Sequence, residues 1–419
     1  MKILLVGHGC SPRYGSEPGC TWNWAWHLSA RNHVWVIAHP HERAAVEASL
    51  AEHPNPNLRF CWVTPPRWLD PWNPSRGERW IRLHYLMWQR AALDLAARLH
   101  KAEGFDIVHH VSWGTVSRPP LLWRLPIPLV WGPVGGGQVA SAAFRRYFGS
   151  WWLGECLRTG YVRMAACRPV LREAVRRSAL VLATNHETAR VLESAGGRDV
   201  KLFLDSGLPD QFIPKQCIER KAGPVLKLFW AGRLNPRKCL TMALEAMSQA
   251  KDLSLQLLIA GAGPLRHDWE ALARRLGLDK RVAFLGQVPY LQMPALYRSA
   301  DVFVFTSLRD SFGSQVLEAM AAGLPIVTLD HQGVGAFVPP EAGFKVPVTN
   351  PEETVAGLSN AIRILAASPE LRARMGKAAW TYAKTQTWAR RAEKMNEWYQ
   401  LVVNRYQSVP DVCSVAGGR

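Results

Sequence analysis

The sequence lacks the features that mark a membrane-spanning or a secreted chain. No apolar run approaches the roughly 18–20 residues that a membrane-spanning helix needs. The opening stretch MKILLVGHGC has an apolar core too short for a signal peptide, so we predict a first β-strand there. The 8 cysteines form no Cys-x-x-Cys pair. Scattered thiols of this kind are typical of a reducing cytosol, and we expect a cytoplasmic protein.

The usual signs of a metal centre are missing as well. No Asp-x-Asp triplet occurs, although such a triplet commonly marks a metal ion that holds a nucleotide diphosphate. The cysteines and histidines do not show the spacing of a zinc site either. The sequence therefore predicts neither a metal ion nor another cofactor.

Acidic residues are scarce. Against 51 lysines and arginines there are 33 aspartates and glutamates, which gives a formal net charge of 51 − 33 = +18. A field of this sign attracts nucleic acids, acidic lipid headgroups and phosphorylated substrates. Because a basic composition also serves solubility alone, the charge by itself does not choose among these partners.

Short apolar segments alternate with segments of helical period along the chain. This alternation is typical of parallel sheets covered by helices on both faces, so we predict an α/β protein with two Rossmann-like, parallel-sheet domains. The predicted strands are Lys2–Gly7, Val34–Ala38, Leu58–Val63, Asp106–Val111, Ile127–Trp131, Ala179–Thr184, Val200–Leu204, Val225–Ala231, Ser254–Ala260, Val282–Gly286, Val302–Phe305 and Pro325–Leu329.

A stretch rich in glycine, proline and charge separates the two series of strands at residues 205–224. We expect a ligand-binding cleft between the domains, because ligands bind at the carboxyl ends of the strands in such sheets. The predicted division is a first domain at 1–207, a linker at 208–223, a second domain at 224–386, a helix that crosses back to the first domain at 387–406 and a loose tail at 407–419.

Glycines and cations follow three of the predicted strands of the second half. Gly232 and Arg233 follow the first of these strands, and Lys238 stands at the next helix. Glycine lets a ligand approach the backbone, and an arginine and a lysine at a helix N-terminus suit a diphosphate. Gly263 and Gly286 follow the next two strands. Each motif alone is equally consistent with solvated cations and ordinary glycine turns.

Two carboxylates, Asp310 and Glu318, stand eight residues apart in the stretch RDSFGSQVLEAMAAGLPIV. Ser311 is predicted to cap a helix that Gly323 ends. Glu318 would then lie within an apolar helix, and a buried carboxylate is costly without a partner. The hydroxyls of a ribose would supply one. The alternative is a capping acid and an internal salt bridge.

Taken together, these motifs resemble glycosyltransferase family 4, whose members are retaining enzymes of GT-B fold. Their order and spacing match over residues 225–330. A weaker match at YGSEPGC (14–20) and GPVGGG (132–137) points to a subgroup with these two loops and extends the resemblance over nearly the whole chain. The matching pieces of the second half are Gly232-Arg233 with Lys238, Gly261-Ala262-Gly263-Pro264, Phe284-Leu285-Gly286, Asp310-Ser311-Phe312-Gly313 and Leu317-Glu318-Ala319-Met320-Ala321-Ala322-Gly323-Leu324-Pro325.

The resemblance implies a role for each matching residue. Arg233 and Lys238 would hold the donor diphosphate, Glu318 would bind the ribose, and Asp310 would contact hydroxyls of the sugar. The family usually has glutamate where Asp310 stands and often glycine where Cys239 stands, so the donor sugar stays open. A retaining, front-face attack assisted by the leaving phosphate is implied too. The implied donor-binding residues are Gly232, Gly263, Gly286, Ser311, Phe312, Gly313, Leu317, Gly15 and Ser16.

The acceptor side is less well defined by the resemblance. Family members commonly place a histidine after the strand that here runs through residues 128–137. This sequence has no histidine in that stretch, which ends instead in Gly135-Gly136-Gly137. The nearest histidines are His109 and His110, which follow a neighbouring strand. A histidine beside a strand is more often structural than functional, so a packing role and a polar contact with the ligand both stay open for this pair. The acceptor-side candidates are Glu17, His109, His110, Arg118, Gly135 and Gly136.

Arginines and aromatic residues are interleaved at residues 67–90 and 141–179. This composition suits an anionic membrane surface, and it suits equally helices that cover a sheet. No nucleic acid is expected, because no recognisable nucleic-acid module occurs. We predict a cytoplasmic hexosyltransferase, peripheral on the inner face of the membrane, that uses a nucleoside diphosphate sugar and a lipid-linked or cell-envelope saccharide. A sugar-nucleotide epimerase of GT-B fold and a polyanion-binding protein are the alternatives.

Overall fold

The computed structural model describes residues 1–15, 17–66, 68, 70–72, 77, 80–220 and 223–408. The strands of the first domain are β1 (Lys2–Val6), β2 (His33–Ala38), β3 (Leu58–Trp62), β4 (Ile107–His110), β5 (Leu129–Val134), β6 (Ser178–Ala183) and β7 (Val200–Leu202). They form one parallel sheet in the order β3-β2-β1-β4-β5-β6-β7. The central strands are buried on both faces, as an all-parallel sheet requires.

Helices cover both faces of this sheet. They are α1 (Glu17–Leu28), α2 (Arg43–Glu52), α3 (Ile81–Glu103), α4 (Trp152–Arg163), α5 (Pro169–Arg177) and α6 (His186–Ser194). Local chemistry sets several of their ends. The Asn185 side chain accepts a hydrogen bond from the backbone N–H of Thr188 and so caps α6. Proline occupies the first turn of α5, where its missing N–H has no cost.

The second domain repeats the arrangement. Its strands are β8 (Leu226–Ala231), β9 (Leu255–Ala260), β10 (Val282–Gly286), β11 (Val302–Phe305), β12 (Ile326–Leu329) and β13 (Gly343–Val346), all parallel and in the order β10-β9-β8-β11-β12-β13. Its helices are α7 (Leu240–Gln249), α8 (Arg266–Arg275), α9 (Met293–Ser299), α10 (Ser314–Ala321), α11 (Gln332–Phe337), α12 (Pro351–Ala367) and α13 (Pro369–Lys384).

The predicted α/β class with two parallel-sheet domains is confirmed. Every predicted strand is present, with ends that differ by a few residues. The structure also contains one strand, β13, that the sequence did not predict. Its four residues, GFKV, include a lysine, so they do not form an apolar run. The Nζ of Lys345 leaves the sheet and donates to the backbone carbonyl of Gly335 at 3.0 Å.

The last helix, α14 (Trp388–Gln407), packs on the first domain although it follows the second. Its apolar face, with Met395 and Tyr399 fully buried, joins the core formed by β1 and α1. The chain returns at a short parallel bridge between Leu208 and Thr387. This helix therefore ties the two domains together beside the predicted linker. Most of the predicted loose tail, residues 409–419, lies outside the described residues.

Within the described residues, no helix is both long enough and apolar enough to cross a membrane.

Candidate functional site

Two cavities open at the carboxyl ends of the strands. The glycine cavity has a volume of about 590 Å³ and belongs mainly to the second domain. Its lining includes Gly15, Gly232, Arg233, Gly263, Tyr290 and Glu318. The arginine cavity has a volume of about 770 Å³ and lies between the domains. Its lining includes Arg82, Arg118, Glu155, Arg158, Arg237 and Arg309.

Backbone packed against backbone forms the wall of the glycine cavity. The N–H of Gly261 donates to the carbonyl of Gly286 at 2.8 Å. A Cβ at Gly261 would stand 1.9 Å from the carbonyl oxygen of Gly232, and one at Gly263 would stand 2.4 Å from that of Leu234. Gly261 also has a φ of +144°. Only glycine fits such a contact, so these residues let the loops after the strands pack closely together where they line the cavity.

Arg233 lies at the entrance of this cavity. Its side chain is exposed, and no ion pair involves it among the residues that the structure describes. A guanidinium in this state keeps its donors for a ligand, and its planar fork suits a phosphate.

Glu318 closes the cavity from the first turns of α10. Its side chain is only 7 % exposed, and the hydroxyl of Tyr297 donates to Oε2 at 2.8 Å. Desolvation raises the pKa of Glu318 to about 7, although hydrogen bonds from the side chains of Tyr297 and Ser314 act in the opposite direction. No cation stands within ion-pair distance of it in the described part of the chain. The cavity therefore holds a buried carboxylate with free acceptor capacity.

The buried Lys238 forms an ion pair with Asp310, which is partly buried. The Nζ of Lys238 contacts Oδ2 of Asp310, the Nη1 of Arg237 lies 3.3 Å from the same oxygen, and Ser307 donates to it at 3.3 Å. Desolvation would raise the pKa of Asp310, but Lys238 and Arg237 outweigh it and hold the pKa at about 2. Desolvation lowers the pKa of Lys238. These two residues thus meet each other and do not line the glycine cavity.

The residues between Asp310 and Glu318 hold different positions. Phe312 and Leu317 are fully buried in the core of the second domain. The prediction that Ser311 caps the helix is wrong: α10 begins after Gly313, which occupies the cap position with a φ of +101°. The Oγ of Ser311 instead accepts a long hydrogen bond of 3.5 Å from Gln138 of the first domain. Ser311 therefore lies at the contact between the domains.

The loop after β1 reaches across to the second domain. Gly15 lines the glycine cavity, and a Cβ there would stand 2.6 Å from the ring of Tyr290. The first domain therefore closes this cavity through a residue without a side chain. Ser16, the neighbouring candidate, lies outside the described residues.

Glu17 begins α1 and remains accessible from the cleft. Its Oε1 accepts a hydrogen bond from the backbone N–H of Trp113. Desolvation raises the pKa of Glu17, the bond from Trp113 opposes this, and the neighbouring Asp205 carboxylate adds to the rise. Burial raises the pKa of Asp205, and the charge of Asp310 adds to this rise, so the three carboxylates are close enough for their charges to interact.

His109 and His110 do not face the cleft. Both are buried on β4. One ring lies between the hydroxyl of Tyr399 on α14 and the carbonyl of Gly132, and the other contacts the hydroxyl of Tyr85 at 2.9 Å. Desolvation lowers their pKa values to about 4 and about 3, so both stay neutral at physiological pH. The structure thus shows both histidines in packing contacts inside the first domain.

The remaining acceptor-side candidates lie in two different places. A Cβ at Gly135 would stand 2.4 Å from Oγ of Ser311, so this glycine permits the close contact between the domains. Gly136 and Arg118 line the arginine cavity. Among the described residues, no group of three or more histidine, cysteine, aspartate or glutamate side chains is arranged to hold a metal ion.

Several residues of the two cavities did not emerge from the sequence. Tyr290 follows β10 in the motif Val-Pro-Tyr, and Arg237 precedes Lys238 directly. Arg237 could have been predicted as a site residue, because it is adjacent to Lys238, which was predicted to bind the diphosphate. Arg309 could have been predicted in the same way, because it directly precedes Asp310.

Comparison with known proteins finds a family match within the second half of the chain. Residues 218–381 match the family Glycosyl transferases group 1. The D-inositol 3-phosphate glycosyltransferase of Corynebacterium glutamicum (strain R) is 30 % identical over 179 residues, which are 41 % of this chain and 42 % of that protein. The chain therefore matches less than half the length of this relative.

Solved structures resemble the whole chain. The sucrose-phosphate synthase of Thermosynechococcus elongatus has a TM-score of 0.67 at 18 % identity, over 97 % of this chain and 100 % of that chain. HepE of Anabaena, solved in complex with UDP, has a TM-score of 0.65 at 19 % identity, over 96 % of this chain and 100 % of that chain. The fold is therefore the GT-B arrangement of two Rossmann-like domains.

Proposed function

We propose that this protein is a glycosyltransferase that moves a hexose from a nucleoside diphosphate sugar to a hydroxyl acceptor. The observation that carries the proposal is the buried Glu318 carboxylate, which opens into a glycine-walled cavity and has free acceptor capacity. The two neighbouring hydroxyls of a ribose match such a carboxylate as hydrogen-bond donors. The family match over residues 218–381 supports the same interpretation.

The donor diphosphate is assigned to Arg233, which lines the glycine cavity, and to Lys238, whose side chain lies directly behind Gly232: a Cβ there would stand 3.7 Å from its Cδ and Cε. Arg233 lies in the same cavity as Glu318, and its guanidinium is available. The glycine backbone between them lets a nucleotide lie close to the ends of the strands. HepE, which shares the fold, was solved with UDP, which agrees with a nucleoside diphosphate as the ligand class.

The sugar is assigned to the space beside Asp310, between the two cavities. Arg237, which pairs with Asp310, lines the arginine cavity, and α10, which starts four residues after Asp310, lines the glycine cavity. The carboxylate would accept hydrogen bonds from sugar hydroxyls. Its ion pair with Lys238 would keep it ionised and fixed, which is positioning rather than proton transfer.

Transfer would proceed with retention at the anomeric carbon. The bond from that carbon to the diphosphate oxygen breaks, and the bond to the acceptor oxygen forms on the same face. The acceptor proton passes to an oxygen of the departing diphosphate. Arg233 and Lys238 stabilise the charge that develops on this leaving group. In this scheme the chain needs no metal ion.

The acceptor is proposed to be a lipid-linked or cell-envelope saccharide, reached at the inner surface of an anionic membrane. Apolar side chains of α4 and its flanks are exposed: Leu153 and Leu157 are each 70 % exposed, and Trp151 is 55 % exposed. Arg163, at the end of the same helix, is exposed as well. Exposed apolar groups flanked by cations suit such a membrane surface.

A thermal-shift panel on the full chain tests the donor class. Sugars of UDP, GDP and ADP are each added, and we expect those of one base to raise the melting temperature. Inorganic polyphosphate serves as the control polyanion. Stabilisation by polyphosphate with no response to any nucleotide sugar would instead support a polyanion-binding protein.

Donor binding is expected to depend on pH through Glu318. Its pKa lies at about 7, and a protonated carboxyl accepts ribose hydrogen bonds poorly. The affinity for the donor should therefore fall as the pH falls through this value, by about 20-fold between about pH 7.5 and about pH 5.5. Calorimetric titration of the best donor over this range measures the effect.

Glu318→Gln is the matched control for this pH profile. Its side chain does not titrate, so the affinity of this variant should be nearly constant over the same range. A wild-type profile as flat as that of Glu318→Gln, or an affinity that rises in acid, would remove the ribose role of the carboxylate.

A further inference from the structure

Two guanidinium groups converge at one end of the arginine cavity: Arg118 lines it, and Arg168 contacts the lining residues Ser117 and Tyr161. The Nη1 of Arg168 donates to the carbonyl of Ser117 at 3.3 Å, and the Nη1 of Arg118 lies 3.4 Å from the same oxygen. The hydroxyl of Tyr161 donates to this carbonyl as well, at 3.2 Å, and the guanidinium of Arg168 lies over its ring at 4.9 Å. The two cations are thus held next to each other by backbone and aromatic contacts.

The charges around this point are poorly balanced. Arg82, which also lines the cavity, lies close enough to Arg118 for their charges to repel. The Nε of Arg118 is buried and makes no hydrogen bond within the described residues. Burial and the neighbouring cations lower the pKa of Arg118. Within the part of the chain that the structure describes, no carboxylate forms an ion pair with Arg82, Arg118 or Arg168.

The carboxylate of the cavity lining is already engaged elsewhere. Both oxygens of Glu155 lie near 3 Å from the Nε of Arg309, at 2.9 and 3.0 Å, and Arg158 stands 3.7 Å away. Those interactions lie at the side of the cavity that faces Asp310. Hence Glu155 leaves the charges of Arg118 and Arg168 without compensation.

We propose that the Arg118–Arg168 end of the arginine cavity binds a phosphate group of the acceptor, which carries an apolar chain. The inference rests on the proposed function and names the acceptor class of the same cleft. Guanidinium groups bind phosphate through paired N–H donors, and two of them suit a phosphate monoester or diphosphate. The cavity extends from these residues to Arg237, which pairs with Asp310, so one acceptor can reach both ends.

Apolar side chains beside the proposed phosphate site would contact the apolar chain of the acceptor. Leu157, Trp151 and Tyr161 line the same cavity, and they are 70 %, 55 % and 39 % exposed. An amphiphile would cover these side chains while its phosphate meets the arginines. A free sugar phosphate would leave them exposed to water.

Calorimetric titration with n-octyl phosphate, below its micelle concentration, tests the proposal on the full chain. The wild type is expected to bind it, and Arg118→Gln should weaken the affinity at least about tenfold, because a charge-assisted hydrogen bond is worth about 1.5–3 kcal/mol. Arg168→Gln, at the other side of the site, should weaken it to a similar extent. Thermal melting of both variants shows whether they fold, and the second keeps the test valid if the first does not.

Arg374→Gln is the matched control, since Arg374 is exposed on α13 and makes no recorded ion pair within the described residues. It should leave octyl phosphate binding unchanged within about twofold. Two further probes separate the chemistry: inorganic phosphate tests the anion without a chain, and n-octyl glucoside tests the chain without an anion. Both are expected to bind more weakly than octyl phosphate.

Three results would overturn the proposal. They are unchanged affinity in both arginine variants, inorganic phosphate that binds as tightly as octyl phosphate, and octyl glucoside that does so. Nucleotide-sugar binding to Arg118→Gln should equal that of the wild type, since Arg118 lies outside the glycine cavity. Failure of every nucleotide sugar to bind the wild type would instead overturn the proposed function and the acceptor role together, whatever octyl phosphate does.

Discussion

Replacing Glu318 by alanine is expected to weaken binding of the nucleoside diphosphate sugar by about 100-fold. Each charge-assisted hydrogen bond to the ribose should be worth about 1.5–3 kcal/mol, and the variant loses both acceptors of a bidentate contact. The loss should be large because the wall around the carboxylate excludes water, so no solvent replaces the missing acceptor. Calorimetric titration of wild type and variant with the same donor measures it.

Glu341→Ala provides the matched control for this experiment. Glu341 is an exposed glutamate of the same domain, away from the residues that line either cavity. It should bind the donor like the wild type. If Glu318→Ala binds the donor within about threefold of the wild type, the carboxylate does not contact the nucleotide, since even one lost charge-assisted bond would exceed this change.

The second large effect concerns the ion pair of Lys238 and Asp310. Lys238→Met should lower the free energy of unfolding by about 3 kcal/mol, because it leaves the partly buried Asp310 carboxylate without its main counterion. Arg237 remains 3.3 Å from Asp310, so the loss should fall at the lower end of what a broken buried pair costs. Urea denaturation followed by tryptophan fluorescence measures the change.

Removing both charges separates folding from function. The double variant Lys238→Met with Asp310→Asn should recover most of the lost stability, since no unpaired charge stays buried. An asparagine keeps an oxygen for the N–H of Ser311, which now donates to Oδ1 of Asp310 at 3.1 Å. The double variant should nevertheless bind a nucleoside diphosphate about 30-fold more weakly, because Lys238 no longer meets the phosphates. Restored stability with full affinity would show that the pair serves folding alone.

The fold could be predicted from the sequence because its signals are local. Each central strand is a short apolar run, and alternation with helices leaves a parallel sheet as the arrangement that buries such runs. The strand β13 escaped prediction because its lysine interrupts the pattern at Lys345. Its place in the sheet comes from pairing with β12, which is a tertiary effect.

The glycine cavity could be predicted in part for the same reason. Gly232, Gly263 and Glu318 each follow or face the end of a neighbouring strand, and topology brings those ends together. The capping role of Ser311 was wrong because Gly313 adopts a positive φ and starts the helix two residues later. The chain could not show this, since serine is the commoner cap.

The arginine cavity could not be predicted as a unit. Its cations come from segments that are far apart in sequence, such as those of Arg82, Arg158 and Arg309, and from both domains. The composition showed an excess of arginine but not where it converges. In the same way, His109 lies beside a strand end and could equally have faced the cleft. Only the packing of α14, through Tyr399, shows that its ring is enclosed.

Hydrogen–deuterium exchange of the full chain, with and without the stabilising nucleotide sugar, tests the central claim most directly. We expect protection in peptides that cover residues 231–235, 260–265 and 313–318, which carry the glycine wall, Arg233 and Glu318. Peptides at residues 351–367, in α12, which lines neither cavity, should exchange unchanged. Protection confined to other segments, with none in those three, would contradict a nucleotide sugar held in the glycine cavity.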